Sequence, residues 1–389
     1  MKQTLSIYLH IPFCRHRCAY CDFNTYTGLG DLQETYADAL AEEARLVGAG
    51  APERMQVGTL FFGGGTPSLM SPAALSRILR AVRAHFDLLL DAEITMEANP
   101  DSVDEAYLQQ VRALGVNRLS FGMQSANPGE LALLERNHDL NTVVAAVAAA
   151  RRAGFDNLSL DLIYGLPHQS LAAWERSLQA ALSLSPEHLS LYCLTIEPGT
   201  PMQRWLQNGQ IPLPDPDLAA DQYALACATL EDGWRHYEIS NWARPGRACR
   251  HNLTYWHNES YLGLGAGAHG HAGGYRYSVV RQPRTYLHRI EGGQRHRFPL
   301  SPAVADAARI TPAEAMADAM ITRLRLLDEG VALDYFRAQF GQTVRERYGA
   351  TVDQLLEWDL LQERDNRLLL TERGWFLSNQ IFYRFLRDD

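Results

Sequence analysis

Short apolar runs recur through the first half of the chain, each followed by a longer amphipathic stretch, and this alternation constrains the fold more than any other feature. SIYLHI (6–11), VGTLFF (57–62), EITMEA (93–98), RLSFGM (118–123), NLSLDLIY (157–164) and HLSLYCLT (188–195) have the length and composition of strands. Helical periodicity lies between them, near 32–48, 72–86, 103–114, 141–153 and 170–184. Parallel strands need a crossover long enough to hold a helix, so the alternation predicts repeated βα units around a parallel sheet. Six successive units favour a barrel, incomplete if not closed, over a short open sheet. The expected fold class is α/β, an incomplete (βα)6-type TIM-like barrel that fills residues 1–300 together with an extension.

The pattern changes downstream. IPLPDPD (211–217) separates the barrel units from a helix near 218–232 and a strand-like HYEISNW (236–242). Past residue 300, helical patterns cover 312–327, 331–340 and 351–361, then two short strands turn at Asp365-Asn366 before a last helix. Residues 301–389 are therefore expected to form a smaller, mainly helical, winged-helix-like domain. Such a fold often binds DNA, but the acidic Glu329, Asp334, Asp353, Glu357 and Asp359 give it little affinity for phosphate. The expectation is a lid or docking domain, with no nucleic-acid partner.

Composition narrows the remaining classes. The 389 residues are 46% hydrophobic and 21% charged, enough for a substantial core. A net charge of −9 gives no general attraction to nucleic acid or anionic lipid. His10 and Pro12 interrupt the apolar start, which rules against a signal peptide, and no apolar run approaches the roughly 20 residues of a membrane helix. A cytoplasmic location follows, and the sequons at Asn252 and Asn258 are then accidental. In that compartment clustered cysteines point to metal or redox chemistry rather than disulfides.

Three of the six cysteines, Cys14, Cys18 and Cys21, fall within HIPFCRHRCAYCDF at C-x3-C-x2-C spacing. Structural zinc takes four protein ligands, so His16 or His10 would have to complete a Cys3His site. Three thiolates on a tight loop also suit a 4Fe-4S cluster whose fourth iron stays open for a ligand. Cys193, Cys227 and Cys249 are scattered; Cys193, in an apolar strand, and Cys227, on a helix, read as ordinary buried thiols. After the second strand, Gly63 to Pro67 reads GGGTP, where missing side chains let backbone N–H groups approach a carboxylate. It lacks the Lys-Ser/Thr ending of a P-loop. Glu97, Gln124 and Asp161 fall in or near the ends of later strands, the active face of a βα barrel.

C-x3-C-x2-C followed by an aromatic residue, GGGTP, and Glu97-Ala98-Asn99-Pro100 together resemble radical S-adenosylmethionine (SAM) proteins. YLHIPFC, FFGGGTPS, RLSFGMQS and DLIYGLP resemble, more narrowly, the family of oxygen-independent coproporphyrinogen III oxidases and the HemW heme chaperones. The resemblance runs from about residue 6 to the C-terminal domain. It implies that Cys14, Cys18 and Cys21 hold the cluster and that SAM chelates the open iron through its amino and carboxylate groups. By the same resemblance Tyr8 packs near SAM, Gly64, Gly65 and Thr66 contact its methionine end, and Glu97, Gln124, Arg136 and Asp161 supply the remaining contacts. Reductive cleavage of SAM is the chemistry implied for the superfamily.

Two departures weigh against coproporphyrinogen oxidation. The oxidases carry a further cysteine two positions after the third cluster ligand, where this chain has Phe23, and an N-terminal extension ahead of the barrel. A third feature favours the chaperones: His251-Asn252-x-x-Tyr255-Trp256 resembles their HNxxYW signature. Histidine is a common axial ligand to heme iron, so His251 is the first candidate heme contact, beside the plainer reading of a histidine satisfied by the protein itself. The resemblance implies heme as a bound partner, delivery to recipient hemoproteins including membrane respiratory ones, and a homodimer. Gly265-x-Gly267-x-x-Gly270 matches a dinucleotide fingerprint, but β-rich YRYSVV follows it instead of a helix. His269-x-His271 places two imidazoles on one strand face without a nearby acidic or cysteine partner to complete a metal site.

Overall fold

The computed structural model describes residues 4–293 and 297–386. Its first six strands are β1 (Leu5–Ile11), β2 (Gln56–Gly64), β3 (Asp87–Ala98), β4 (Arg118–Gln124), β5 (Leu158–Tyr164) and β6 (His188–Cys193). They are parallel and lie side by side in chain order. Helices Gln33–Ala49, Pro72–His85, Glu105–Ala113, Leu140–Arg152 and Leu171–Ser183 connect them. When every crossover is right-handed and every strand is added on the same side, all the helices fall on one face and the sheet curls away from them. Local sequence fixes where the helices start. Ser71 accepts a hydrogen bond from Ala74 N–H with Pro72 in the first turn, and Asp104, Asp139 and Ser170 cap the later helices in the same way.

Strand alternation sorts the side chains between the two faces. Leu5, Ile7, Leu9 and Ile11 of β1 join the main apolar core beneath the helices, as do Leu119, Phe121 and Met123 of β4 and Leu158, Leu160 and Leu162 of β5. The opposite face carries buried polar groups instead, among them Ser6, Thr59, Thr95, Ser120, Ser159 and Ser190. Bulky branched residues usually fill such a lumen. Here small hydroxyls leave it room.

Beyond β6 the sheet becomes antiparallel. HYEISNW, expected as one strand, is two: β7 (Arg235–Glu238) and β8 (Asn241–Ala243), joined by a tight turn in which Glu238 accepts from Ser240 N–H. On the other side β9 (Tyr261–Leu264) runs parallel to β1, followed by antiparallel β10 (His269–Ala272), β11 (Tyr275–Val279) and β12 (Val304–Arg309). The Gly-x-Gly stretch 265–270 links two strands, not a strand and a helix. Among the described residues β12 and β7 end the sheet, which is therefore an open, incomplete barrel.

The expected boundary at residue 300 falls short of the last barrel strand, since β12 still belongs to the large sheet. A separate apolar core begins at Met316 and includes Phe336, Val352, Leu355 and Ile381. It gathers helices Pro312–Arg323, Leu333–Phe340 and Val344–Glu357 with a three-stranded wing of β13 (Val331–Ala332), β14 (Leu361–Arg364) and β15 (Arg367–Leu370). The third of these helices, expected at 351–361, starts earlier because Thr343 and Glu346 form a capping box. Asp365 and Asn366 make the wing turn with φ of 51° and 59°, the left-handed pair that a two-residue hairpin needs.

Candidate functional site

The cysteine loop follows β1 and is pinned at its base. Cys14 N–H donates to Tyr26 O at 3.0 Å and Tyr26 N–H to Pro12 O at 2.7 Å. Cys21 N–H donates to Cys18 O at 3.2 Å, so the last two cysteines share one tight turn. Gly65 and Thr66 then lock the end of β2 against the loop through N–H bonds of 2.8 Å to Ile11 O and Phe13 O. This approach needs glycine: a Cβ on Gly65 would lie 2.6 Å from Phe13 O, and Gly64, at φ 112°, would press on the His10 ring.

Cys14, Cys18 and Cys21 line a cavity of about 350 Å³ together with Gly64, Gly65, Thr66, Glu97, Gln124, Arg136 and Asp161. The fold thus brings ten of the twelve expected site residues into one chamber at the carboxyl side of the parallel strands. Thr66 Oγ1 and Arg136 Nη1 lie 3.6 Å from the sulfurs of Cys14 and Cys18, and the other arm of Arg136 donates to Asn99 Oδ1 and Gly122 O, both at 2.8 Å. Glu97 Oε2 accepts from Gly64 N–H at 3.1 Å. Burial and the neighbouring Asp161 push its carboxyl up to about 7. Asp161 is also raised by burial, although Ser120 and Ser159 donate to it at 3.0 to 3.2 Å. Gln124 reaches the chamber through an irregularity in β4 at Gly122/Gln124 and a φ of 63°, strain of the kind held at binding sites.

Three unpaired thiols, a backbone ridge without side chains and buried charges facing one space fit a 4Fe-4S cluster with SAM on its open iron. Donors beside two of the sulfurs suit thiolates. A fourth ligand for zinc is not in place: His16 pairs with Glu135 at 3.4 Å, while the two ring nitrogens of His10 lie 3.1 Å from Tyr8 OH and 3.0 Å from Asn24 O.

Two expected residues sit elsewhere. Tyr8 lines a neighbouring cavity of about 650 Å³ that shares Gly64, Glu97, Asp22 and Phe23 with the first. His251 lines neither. It is 1% exposed, its Nδ1 lies 2.7 Å from Thr59 Oγ1 and its Nε2 2.9 Å from Tyr255 OH. Burial lowers its pKa to about 3, so the ring is neutral and both nitrogens are engaged. Its helix, Arg250–Trp256, closes the amino end of the lumen, where Glu93 accepts from the N–H groups of Arg250 and His251 at 3.0 and 3.1 Å. The HNxxYW stretch is a plug. Sequence reasoning gave no role to Asn99, which bridges Thr66 and Arg136, or to Tyr192 on the cavity wall. Alternation along β6 marks Tyr192 as lumen-facing.

The Radical SAM superfamily profile matches residues 8–181, and the HemN C-terminal domain profile matches residues 310–377. The heme chaperone HemW of Bacillus subtilis is 36% identical, over 98% of this chain and 99% of the relative. HemW of Mycobacterium tuberculosis is 39% identical, over 97% and 94%. Among solved structures, coproporphyrinogen III oxidase (HemN) from Escherichia coli superposes with a TM-score of 0.83, covering 99% of this chain and 90% of that one, at 24% identity, a likeness of fold. Identity of this order along almost the entire length of both partners is family membership: the chain belongs to the HemW family of the radical SAM superfamily, whose cofactors are a 4Fe-4S cluster and SAM.

Proposed function

We propose that this protein is a heme chaperone: it binds heme, carries a SAM-coordinating 4Fe-4S cluster and hands heme to hemoproteins. The observation that carries the reading is Phe23. It stands where the oxidases have a cysteine, is 63% exposed and lines both cavities. A solvent-facing aromatic there offers a planar macrocycle a contact and offers a decarboxylation no thiol. The HemW relatives, named as heme chaperones over nearly their whole length, support the same choice.

In this reading Cys14, Cys18 and Cys21 hold the cluster, with Thr66 and Arg136 donating toward two of the sulfurs. The backbone of Gly64 and Gly65, with Thr66, would hold the methionine end of SAM. Glu97 accepts from its amino group, Arg136 pairs with its carboxylate, and Gln124 and Asp161 face the rest. Bound together, cluster and SAM supply one-electron chemistry. A heme contact at His251 would require breaking its bond to Thr59 or Tyr255.

The winged-helix-like unit serves as the lid or docking domain. Trp358, Leu377 and Tyr383 around an apolar groove on it suit a protein contact. Recipients include membrane-bound respiratory hemoproteins, a homodimer forms, and the protein works in the cytoplasm. No helix among the described residues is long and apolar enough to cross a membrane. The test gives cluster-reconstituted protein reductant, SAM and coproporphyrinogen III, and separately offers its heme-loaded form an apo-hemoprotein. Heme transfer without divinyl product is expected; multiple turnovers to that product would make the protein an oxidase.

A further inference from the structure

The 650 Å³ cavity next to the cysteine chamber has no assigned ligand. It opens between the cysteine loop and β10 to β12, and Tyr8, Phe23, Tyr255, Tyr261, Val279 and Ala305 give it apolar and aromatic walls. Its volume is in the range of small-molecule sites. Two basic side chains complete it. His269, on β10 opposite Ser278, is exposed and makes no side-chain hydrogen bond or ion pair among the described residues. Arg281 is exposed as well: only its Nε is engaged, 3.3 Å from Asn24 Oδ1, and no bond of its two terminal nitrogens is seen among the described residues.

A heme needs apolar surface against its faces, a nitrogen lone pair above the iron and cations for its two carboxylates. Of the two histidines in this cavity, His10 is engaged at both ring nitrogens, which leaves His269. His271, two residues along the same strand, lines a separate 250 Å³ cavity with Arg276 and Asp318. Resting on the heme-chaperone reading, we propose that heme sits in the larger cavity with the His269 imidazole as an axial ligand and the Arg281 guanidinium on a propionate. Gly64 and Glu97 then form the partition between heme and the cysteine chamber. The histidine of the HNxxYW stretch does not line this cavity: it stands behind Tyr255, with both ring nitrogens engaged by Thr59 and Tyr255.

Ferric heme titrated into cluster-reconstituted, full-length protein and followed by its Soret band tests the assignment. His269→Ala is expected to weaken binding about tenfold or more and to shift the Soret band, with added imidazole restoring the band. Arg281→Ala is expected to weaken binding without changing the iron coordination. Both residues are exposed, so the variants fold. If the wild type binds heme and His269→Ala binds it with the same affinity and spectrum, the seat is wrong and the chaperone reading stands. Unchanged affinity in Arg281→Ala removes the propionate contact. A wild type that takes up no heme overturns the chaperone reading, and the seat with it.

Discussion

Glu97 is the single residue whose proton affinity is most exposed to experiment. Its carboxyl titrates near 7 in the fold, against an ordinary value of 4.5. Between those values the unfolded chain has released a proton that the folded one keeps, so cofactor-free protein loses stability as pH rises through this window and bears the full penalty above it. Glu97→Gln is expected to remove that penalty, on the order of 3 kcal/mol at pH 8 and little at pH 4, as read from denaturant unfolding at both pH values. The same variant should bind SAM more weakly. Cys18→Ser is expected to abolish the visible absorbance of the reconstituted cluster; retained absorbance with stoichiometric iron would remove Cys18 from the ligand set. His251→Ala takes from the Tyr255 hydroxyl its bond to the ring and leaves Thr59 only its bond to Ser6, and should cost about 1–3 kcal/mol of stability, with heme stoichiometry unchanged. The cysteines, the glycine ridge and Glu97 were legible in the sequence because their chemistry is tied to short, fixed spacings. For His251 the sequence left two readings open, a heme contact or a histidine satisfied by the protein itself, since its partner Thr59 lies 192 residues away. The same limit applied to His269, whose ring, without a side-chain bond among the described residues, meets the cavity only once β10 is placed beside it.

Among the elements, the barrel strands and their helices could be read to within a few residues, except that β3 begins at Asp87, well before EITMEA, because period-two and period-3.6 patterns survive in the other units. The polar residues between the apolar ones, as in NLSLDLIY and HLSLYC, already mark a lumen lined by serines. The plug could not be read this way. Arg250–Trp256 spans seven residues, less than two turns, too short for a helical period to stand out. Its stability comes from Glu93, which holds its first N–H groups from a strand far away in the chain. Glu93→Ala is therefore expected to destabilise the protein by about 2 kcal/mol, measured by denaturant unfolding, a larger loss than the size of the helix would suggest. A wild-type midpoint in that variant would show that the plug is held by packing alone.

Across the whole molecule, the plug also joins the two cores. Trp256 lies under the Arg325 guanidinium at 4.3 Å, and Arg325 donates to Glu238, whose side chain is fully buried, at 3.0 Å. Arg235 with Asp328 and His257 with Glu329 bridge the same seam. Glu238→Ala would leave Arg325 uncompensated in a mostly buried place, and about 3–5 kcal/mol of stability should be lost. The change of pattern past residue 300 raised the expectation of a second unit, and a separate apolar core gathers from Met316 onward. The sheet order was not visible in the sequence: β9, late in the chain, lies beside β1, and only long-range packing decides that.

The partition made by Gly64 and Glu97 faces the cysteine chamber on one side and the larger cavity on the other. With a guest in each, one carboxyl would answer to two occupants. If a cation-bearing ligand on one side alters how tightly the other side holds its guest, equilibrium linkage makes the effect mutual: the factor by which SAM changes the affinity for heme is the factor by which heme changes the affinity for SAM. Loading and release would then be one measurement taken from either chamber.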